Sequence, residues 1–163
     1  MAIDKVETIT CPISLTYQYS AGAATSRFLR AMKEGRLVGQ RCPQCRKVYV
    51  PPRGACARCG IATAEEVPVK DTGTITTFTV VHIPLPGSDI KPPFVAGTIR
   101  LDGADQTCLH LVGGCKPSEV RIGMRVRAAW RPREEWQYSF NNIRWFEPSG
   151  EPDVDVPRPV ETD

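Results

Sequence analysis

The sequence predicts a mainly β protein in which a strand and a helix precede a small metal-binding ribbon and a five-stranded barrel. Three observations lead to this prediction. Two C-x-x-C pairs stand ten residues apart, and five short segments rich in β-branched and aromatic residues follow between residues 73 and 148. Near the N-terminus, apolar and polar residues alternate strictly.

Composition restricts the classes of protein to which the chain can belong. Of the 163 residues, 41% are apolar and 24% are charged, which is ordinary for a globular protein. No apolar run approaches the roughly 18 residues of a membrane span, and the N-terminus shows no secretory or transit pattern. We therefore expect a cytoplasmic protein with no membrane partner, whose C-x-x-C pairs hold metal or do redox chemistry.

The N-terminal segment has a period of two, which predicts an extended strand with one apolar face. Pro12 excludes it from the middle of a sheet. The strand is expected to cover a sheet edge of its own domain or to contact a partner protein. Its apolar side consists of Ile9, Cys11, Ile13, Leu15, Tyr17 and Tyr19.

A short helix is predicted next, capped by Thr25 or Ser26 and ended by Gly35. Its apolar residues could pack on the ribbon or on another subunit. Together with the preceding strand they supply the candidate partner-docking residues, which are Ile13, Leu15, Tyr17, Tyr19, Phe28 and Leu29.

Cys42, Cys45, Cys56 and Cys59 form the pattern C-x2-C-x10-C-x2-C. This spacing is typical of a zinc ribbon, in which four thiolates surround Zn2+ at about 2.3 Å per bond. Such a shell has no open position for substrate, so structural zinc is expected. A redox pair is the alternative, although the βαβ context of thioredoxin-like proteins is missing.

The residues around the cysteines suggest how the metal site is built. Gly60 follows the second pair and favours a left-handed backbone, whereas Arg46 occupies the equivalent place after the first pair and should either bear mild strain or adopt a different turn. Zinc with four thiolates carries a formal charge of −2. The basic residues expected to offset it are Arg41, Arg46, Lys47, Arg53 and Arg58.

The five β segments cover residues 73–82, 94–101, 107–114, 124–130 and 142–148. Long first and fourth connections between five short strands match an OB-fold. A proline-containing acidic tail follows and is expected to be disordered. The predicted divisions are residues 1–38 for strand and helix, 39–66 for the zinc ribbon, 67–148 for the OB-fold and 149–163 for the tail.

The candidate functions differ in class. An OB-fold can bind single-stranded nucleic acid, and nine basic residues within 27–60 could attract phosphate or simply form a solvated face. The predicted second and third barrel strands lack a pair of alternating aromatic residues, which argues against nucleic acid. His82, His110 and Cys115 do not form a recognisable catalytic pattern, so no catalytic residue is expected.

The segments EGRLVGQRCPQC, VYVPPR, GTITTFTVV and IGMRV resemble the acyl-CoA-associated family of rubredoxin-like zinc-ribbon plus OB-fold proteins, a domain of unknown function. The likeness covers about residues 15–148. It implies a non-catalytic partner of a thiolase-superfamily enzyme, such as a ketothiolase, a hydroxymethylglutaryl-CoA synthase or a lipid-transfer-protein-like aldolase of steroid side-chain breakdown. The catalytic residues would then belong to the partner in a hetero-oligomer.

The same resemblance implies that the chain helps to shape an acyl-CoA channel. Phosphates of CoA would meet basic groups, and the pantetheine arm would lie along the barrel mouth. The candidate contacts are Arg41, Arg53, Phe78, Lys91 and Phe94. A single-stranded nucleic-acid binder is the alternative function.

Overall fold

The computed structural model describes residues 8–84 and 87–157. Within these residues the chain forms one α-helix and eight strands. They are α1 (Gly22–Lys33), β1 (Val38–Arg41), β2 (Val48–Tyr49), β3 (Glu65–Pro68), β4 (Thr72–Val81), β5 (Phe94–Leu101), β6 (Thr107–Val112), β7 (Arg125–Trp130) and β8 (Ile143–Pro148). Across these ranges, the length and apolarity needed to cross a membrane do not occur together in any helix.

The strand predicted over residues 9–19 does not form within the chain. Residues 8–20 have no regular secondary structure, and all of them are exposed. No described strand pairs with this segment. Its alternating apolar side chains are therefore not covered by the sheets that the structure describes.

Helix α1 begins earlier than predicted. Its first residue is Gly22, and neither Thr25 nor Ser26 caps it, since the N-cap position is Ala21 without a side-chain hydrogen bond. Its end is confirmed: Gly35 has a φ of 74° and its amide donates to a helix carbonyl at 3.1 Å. A side chain at this position would also collide with the Trp136 ring.

The ribbon is a three-stranded antiparallel sheet in the order β2-β1-β3. Strand β3 lies in a stretch where no strand was predicted, and it pairs with all four residues of β1. The stretch becomes a strand because β1 offers it a complete hydrogen-bonding edge and Val67 is buried on the inner side.

The barrel contains five strands in the closed order β4-β5-β6-β8-β7. Neighbouring strands are antiparallel except β6 and β8, which meet in parallel at Val112 and Phe146. Buried residues alternate with half-buried ones along β5, as period-two packing requires. The predicted mainly β fold with a five-stranded OB barrel is confirmed.

One continuous core of buried apolar side chains joins the helix, the ribbon and the barrel. Phe28 and Met32 of α1 belong to this core together with Val67 of the ribbon and Phe146 of the barrel. Because the three parts share this core, they stabilise one another.

The acidic tail was predicted to be disordered, and this is wrong for its first part. The amide of Val154 donates to the carbonyl of Gly123 at 2.9 Å, and Arg121 donates to Asp153 at 2.8 Å. Arginines of the barrel thus hold the acidic segment in place. Residues 158–163 lie outside the described residues.

Candidate functional site

Two turns of matching geometry present the four cysteines. The amide of Cys42 donates to the carbonyl of Lys47 at 2.8 Å, and the amide of Cys56 donates to that of Ile61 at the same distance. Within each turn the second cysteine's amide points at the first cysteine's sulfur, at 3.5 Å for Cys45 and 3.4 Å for Cys59. Such N–H to sulfur contacts orient thiolates toward a shared centre.

The residue after each cysteine pair has a left-handed backbone. Arg46 has a φ of 63° and Gly60 a φ of 69°. Their amides donate to the carbonyls of Cys42 and Cys56 at 3.0 and 2.9 Å. The first turn therefore accepts the strain of a left-handed arginine in order to keep the same geometry as the second.

The four sulfur atoms lie within 4.8 Å of one another. A tetrahedron of thiolates at about 2.3 Å from a zinc ion has sulfur-to-sulfur edges of about 3.8 Å, and the sulfurs of Cys45 and Cys56 are 3.6 Å apart. Cys42 and Cys56 are buried, whereas Cys45 and Cys59 are half-buried. The cluster is therefore positioned to bind a metal ion with the geometry that zinc prefers.

Neighbouring groups and burial shift the pKa values of two of these thiols in opposite directions. The Tyr49 hydroxyl lies 3.2 Å from the sulfur of Cys56 and lowers the pKa of that thiol to about 6. Burial, followed by the neighbouring sulfurs, raises the pKa of Cys59 to about 12. Without a cation, the sulfurs cannot all be charged at neutral pH. A divalent metal removes this conflict because it favours four thiolates together.

The expected role of the ribbon arginines needs one correction. Arg41 and Arg46 both contact Glu65 of β3, at 2.7 and 3.5 Å. The predicted charge balance included only basic residues and left out the carboxylate of Glu65. The positive charge of these two arginines is therefore balanced at least in part by a carboxylate.

A second site is a concavity of about 500 Å³ on the barrel, lined by β5, β6, β8 and the connections beside them. Three cations and several apolar side chains form its wall, and Asp89 is the only carboxylate among its described lining residues. We call this the barrel concavity; its main residues are Ile90, Lys91, Phe94, Arg131, Arg144 and Trp145.

The cations of the barrel concavity are held in different ways. The Arg144 guanidinium lies 4.1 Å from the centre of the Trp145 ring, a cation–π contact. Arg131 donates to the carbonyl of Asn141 at 2.9 Å and lies 3.7 Å from the carboxylate of Glu135. Lys91 and Arg144 have no carboxylate partner within 4 Å among residues 8–84 and 87–157. Their charges are therefore available to an anionic ligand.

Only two of the five candidate CoA contacts, Lys91 and Phe94, line the barrel concavity. Arg41 is committed to Glu65, and Phe78 is half-buried against the core. Arg53 is exposed and does not line the concavity. Sequence reasoning missed Arg131, Arg144 and Trp145, and the cationic-aromatic dipeptide RW in the last strand was the available signal.

The docking candidates separate into two groups. Ile13, Leu15, Tyr17 and Tyr19 are strongly exposed. Phe28 is 1% exposed and packs on the Phe140 ring, so it is not available to a partner. Leu29 is half-buried against the same core. The candidate side chains on α1 therefore pack against the core, whereas those of the segment before it are exposed to solvent.

His110 occupies a packing position. Its ring lies edge-on to Phe140 and Phe146, at 5.1 and 5.5 Å between ring centres. Burial lowers its pKa, which favours the neutral ring, and its Nδ1 accepts from the amide of Leu111 at 2.9 Å. This environment suits a structural histidine.

Two family profiles match consecutive parts of the chain. The rubredoxin-like zinc ribbon domain of ChsH2 matches residues 30–63, and the C-terminal OB-fold domain of ChsH2 matches residues 66–131. The first range contains the four cysteines, and the second contains most of the barrel. The matches therefore agree with the architecture described above.

Several curated proteins are similar in sequence. A DUF35 domain-containing scaffold protein of Methanocaldococcus jannaschii is 35% identical over 100 residues, covering 61% of this chain and 70% of the relative. A second such scaffold protein, from Methanothermobacter thermautotrophicus, is 29% identical over 101 residues, covering 61% and 75%. A probable enoyl-CoA hydratase alpha subunit of Thermomonospora curvata is 32% identical over 103 residues, which cover 63% of this chain but only 32% of that subunit.

Solved structures share the fold. A chain of the Ltp2-ChsH2(DUF35) aldolase superposes with a TM-score of 0.61 at 24% identity, covering 80% of this chain and 98% of that one. A DUF35 protein of unknown function from Sulfolobus solfataricus gives 0.58 at 19% identity, covering 78% and 84%. At these identities the likeness concerns the fold.

Proposed function

The chain belongs to the DUF35 family of zinc-ribbon and OB-fold proteins, and we propose that it is a non-catalytic accessory subunit of a thiolase-superfamily enzyme. The partner is a ketothiolase or a lipid-transfer-protein-like aldolase of steroid side-chain degradation, the classes implied by the family resemblance. A relative named as a scaffold protein and a fold likeness to an Ltp2-ChsH2 aldolase chain support a subunit that binds and stabilises an enzyme.

The closed cysteine cluster is the observation that carries this proposal. A zinc ion bound to four thiolates has a full shell, so it stabilises the fold instead of activating water. Structural zinc contributes on the order of 10–16 kcal/mol in zinc-finger peptides, enough to hold a small ribbon. We therefore assign the ribbon to scaffolding. Because the four thiols must be reduced, we also propose that the protein acts in the cytoplasm.

The barrel concavity is our candidate for the acyl-CoA channel. CoA combines phosphates with a long, mostly apolar arm, and the concavity combines Lys91, Arg131 and Arg144 with Phe94 and Trp145. Lys91 and Arg144 have no carboxylate partner within 4 Å among the described residues and can therefore attract phosphate, and the aromatic walls offer contact to the arm. The resemblance of part of the chain to a probable enoyl-CoA hydratase subunit supports an acyl-CoA setting.

Co-expression with the thiolase-superfamily protein encoded nearest to this chain tests the partner role. We expect the two proteins to co-purify, and the enzyme's soluble yield and thermal midpoint to fall when this chain is omitted. Val126→Asp provides a negative control, because it places an unpaired carboxylate in the fully buried barrel core. An enzyme that is equally soluble, stable and active without this chain would contradict the proposal.

The channel is tested by charge reversal within the assembled complex. Lys91→Glu and Arg144→Glu should each raise the KM for acyl-CoA about tenfold, since a hydrogen bond to a charged group is worth about 1.5–3 kcal/mol. The mass of the complex should not change. Arg30→Glu, on the exposed side of α1, is the matched control. Equal effects of all three substitutions would refute a phosphate site in the concavity.

A further inference from the structure

The segment of residues 9–19, called here the docking segment, leaves its apolar side uncovered. Its five largest apolar side chains are 75–91% exposed. Tyr17 and Tyr19 lie on one side of the segment, with ring centres 6.2 Å apart. A strictly alternating pattern whose apolar side chains are uncovered among the described residues indicates an interaction surface.

The backbone of the docking segment is also free. No amide of residues 9–19 donates to a backbone carbonyl that the structure describes. An extended segment with free amides and one apolar face has the two features used in β-augmentation, in which a peptide adds a strand to an exposed sheet edge. Hydrogen bonds give affinity in this mode, and alternate side chains give specificity.

Pro12 decides which edge of the segment can pair. In an extended strand, successive residues direct their side chains to opposite faces and their backbone groups to opposite edges. Pro12 removes a donor from the edge formed by even-numbered residues. The odd-numbered edge keeps every amide from Ile9 to Tyr19, and the same residues carry the apolar side chains. Pairing and apolar contact therefore involve one set of residues.

The chain's own sheets cannot accept this segment. Eleven extended residues span about 36 Å at 3.3 Å per residue. Among the described residues, the outer edges of the ribbon sheet are β2 and β3, of two and four residues. The barrel is closed, and its longest unpaired edge is the last six residues of β4 on the side of β7. None of these edges is long enough to pair with the whole segment.

A second copy of the chain is a poor acceptor for the same reason, since its edges are equally short. Two docking segments paired with each other would form an isolated two-stranded ribbon, which is marginally stable in water. Residues 8–20 contain no charged side chain. The acceptor is therefore a long, uncharged strand edge with an apolar face on a different protein.

We propose that the docking segment adds as an edge strand to an exposed β-strand of the partner enzyme, paired through its odd-numbered amides. This inference rests on the proposed function, because it needs an enzyme partner. It assigns Ile13, Leu15, Tyr17 and Tyr19 to the interface and turns Thr16 and Gln18 toward the opposite face.

Truncation separates this proposal from the proposed function. The full chain and a chain lacking residues 2–20 are each titrated with the co-expressed thiolase-superfamily enzyme, and Kd is measured. Binding by the full chain with at least a 100-fold loss on truncation supports strand addition. Binding that survives truncation keeps the partner role and overturns the strand, whereas no binding by the full chain overturns both. A homodimer that truncation dissolves would assign the segment to a second copy and also overturn the proposal.

Two proline substitutions form the matched pair. Leu15→Pro removes an amide from the pairing edge, and Thr16→Pro removes one from the other edge, with the same backbone restriction. We expect Leu15→Pro to weaken binding at least tenfold beyond Leu15→Ala, which keeps the amide, and Thr16→Pro to stay within threefold of the original chain. Equal losses at both prolines would overturn the strand pairing. Circular dichroism and zinc content should be unchanged in all variants.

Discussion

Asn142 connects the helix to the barrel, and its substitution offers a direct test of the packing. The residue is 2% exposed. Its Nδ2 donates to the carbonyls of Met32 and Gln137 at 3.0 and 2.8 Å, and its Oδ1 accepts from the amide of Gln137 at 2.9 Å. Asn142→Ala removes all three hydrogen bonds. It should also loosen the connection that carries Arg131 to the barrel concavity.

The size of the effect follows from these contacts. The carbonyl of Met32 also accepts from the amide of Gly35 at 3.1 Å, so its loss is partly compensated. With about 1 kcal/mol for each of the three hydrogen bonds, the free energy of unfolding should fall by about 3 kcal/mol. For a chain of this size that corresponds to a decrease of about 6–12 °C in thermal midpoint.

Urea unfolding and thermal melting of the original chain and of Asn142→Ala measure this loss. Asn141→Ala is the control, because Asn141 is exposed and its side chain makes no hydrogen bond to another described residue. It should change stability by no more than about 0.5 kcal/mol. If Asn142→Ala were as stable as Asn141→Ala, the assigned link between helix and barrel would be wrong.

Three further substitutions test other parts of the structure. Cys42→Ser should lower bound zinc from about one equivalent per chain and reduce the thermal midpoint; full stability in metal-free protein would refute a structural metal. Asp102 binds Arg125 at 2.7 and 2.6 Å, which lowers the pKa of Asp102 from 3.8 to about 2. Since this side chain is 32% exposed, Asp102→Asn should cost about 1 kcal/mol at pH 7. The stabilisation by ionised Asp102 is fully present above pH 3.8 and is lost as the pH falls through about 2. The difference in free energy of unfolding between the original chain and Asp102→Asn, measured with urea, should therefore shrink over that pH range. Gly123→Ala should lower the free energy of unfolding by about 1–3 kcal/mol more than Gly150→Ala. Both glycines have positive φ, but only Gly123 lies against a backbone carbonyl of the C-terminal segment. Equal urea midpoints for the two variants would contradict this contact.

The barrel and the metal cluster could be predicted because their signals are local. Each barrel strand contains its own alternation and β-branched residues, and the spacing of the cysteines specifies two turns that face one another. For Arg46 the sequence left either a strained left-handed backbone or a different turn open, and the structure has the left-handed one. In these parts, sequence pattern and tertiary structure agree.

The remaining features depend on residues that are distant in sequence. The stretch EEVP has little β propensity and becomes strand β3 only because it pairs with β1. The start of α1 was misplaced because no side chain caps it. Arg131 and Arg144 meet Lys91 only after the barrel closes, and the acidic tail is held by arginines about 30 residues earlier. Such contacts leave no periodic signal.

A subunit of an enzyme complex should form a stable assembly with its enzyme, and the molar mass of the mixed proteins measures that assembly. The purified chain is mixed with its thiolase-superfamily partner, and the mass is measured by size-exclusion chromatography with light scattering. We predict one species whose mass is a whole-number combination of both chains, with zinc bound to the smaller one. Two separate peaks with the masses of the isolated proteins, at concentrations well above the micromolar range, would contradict the claim.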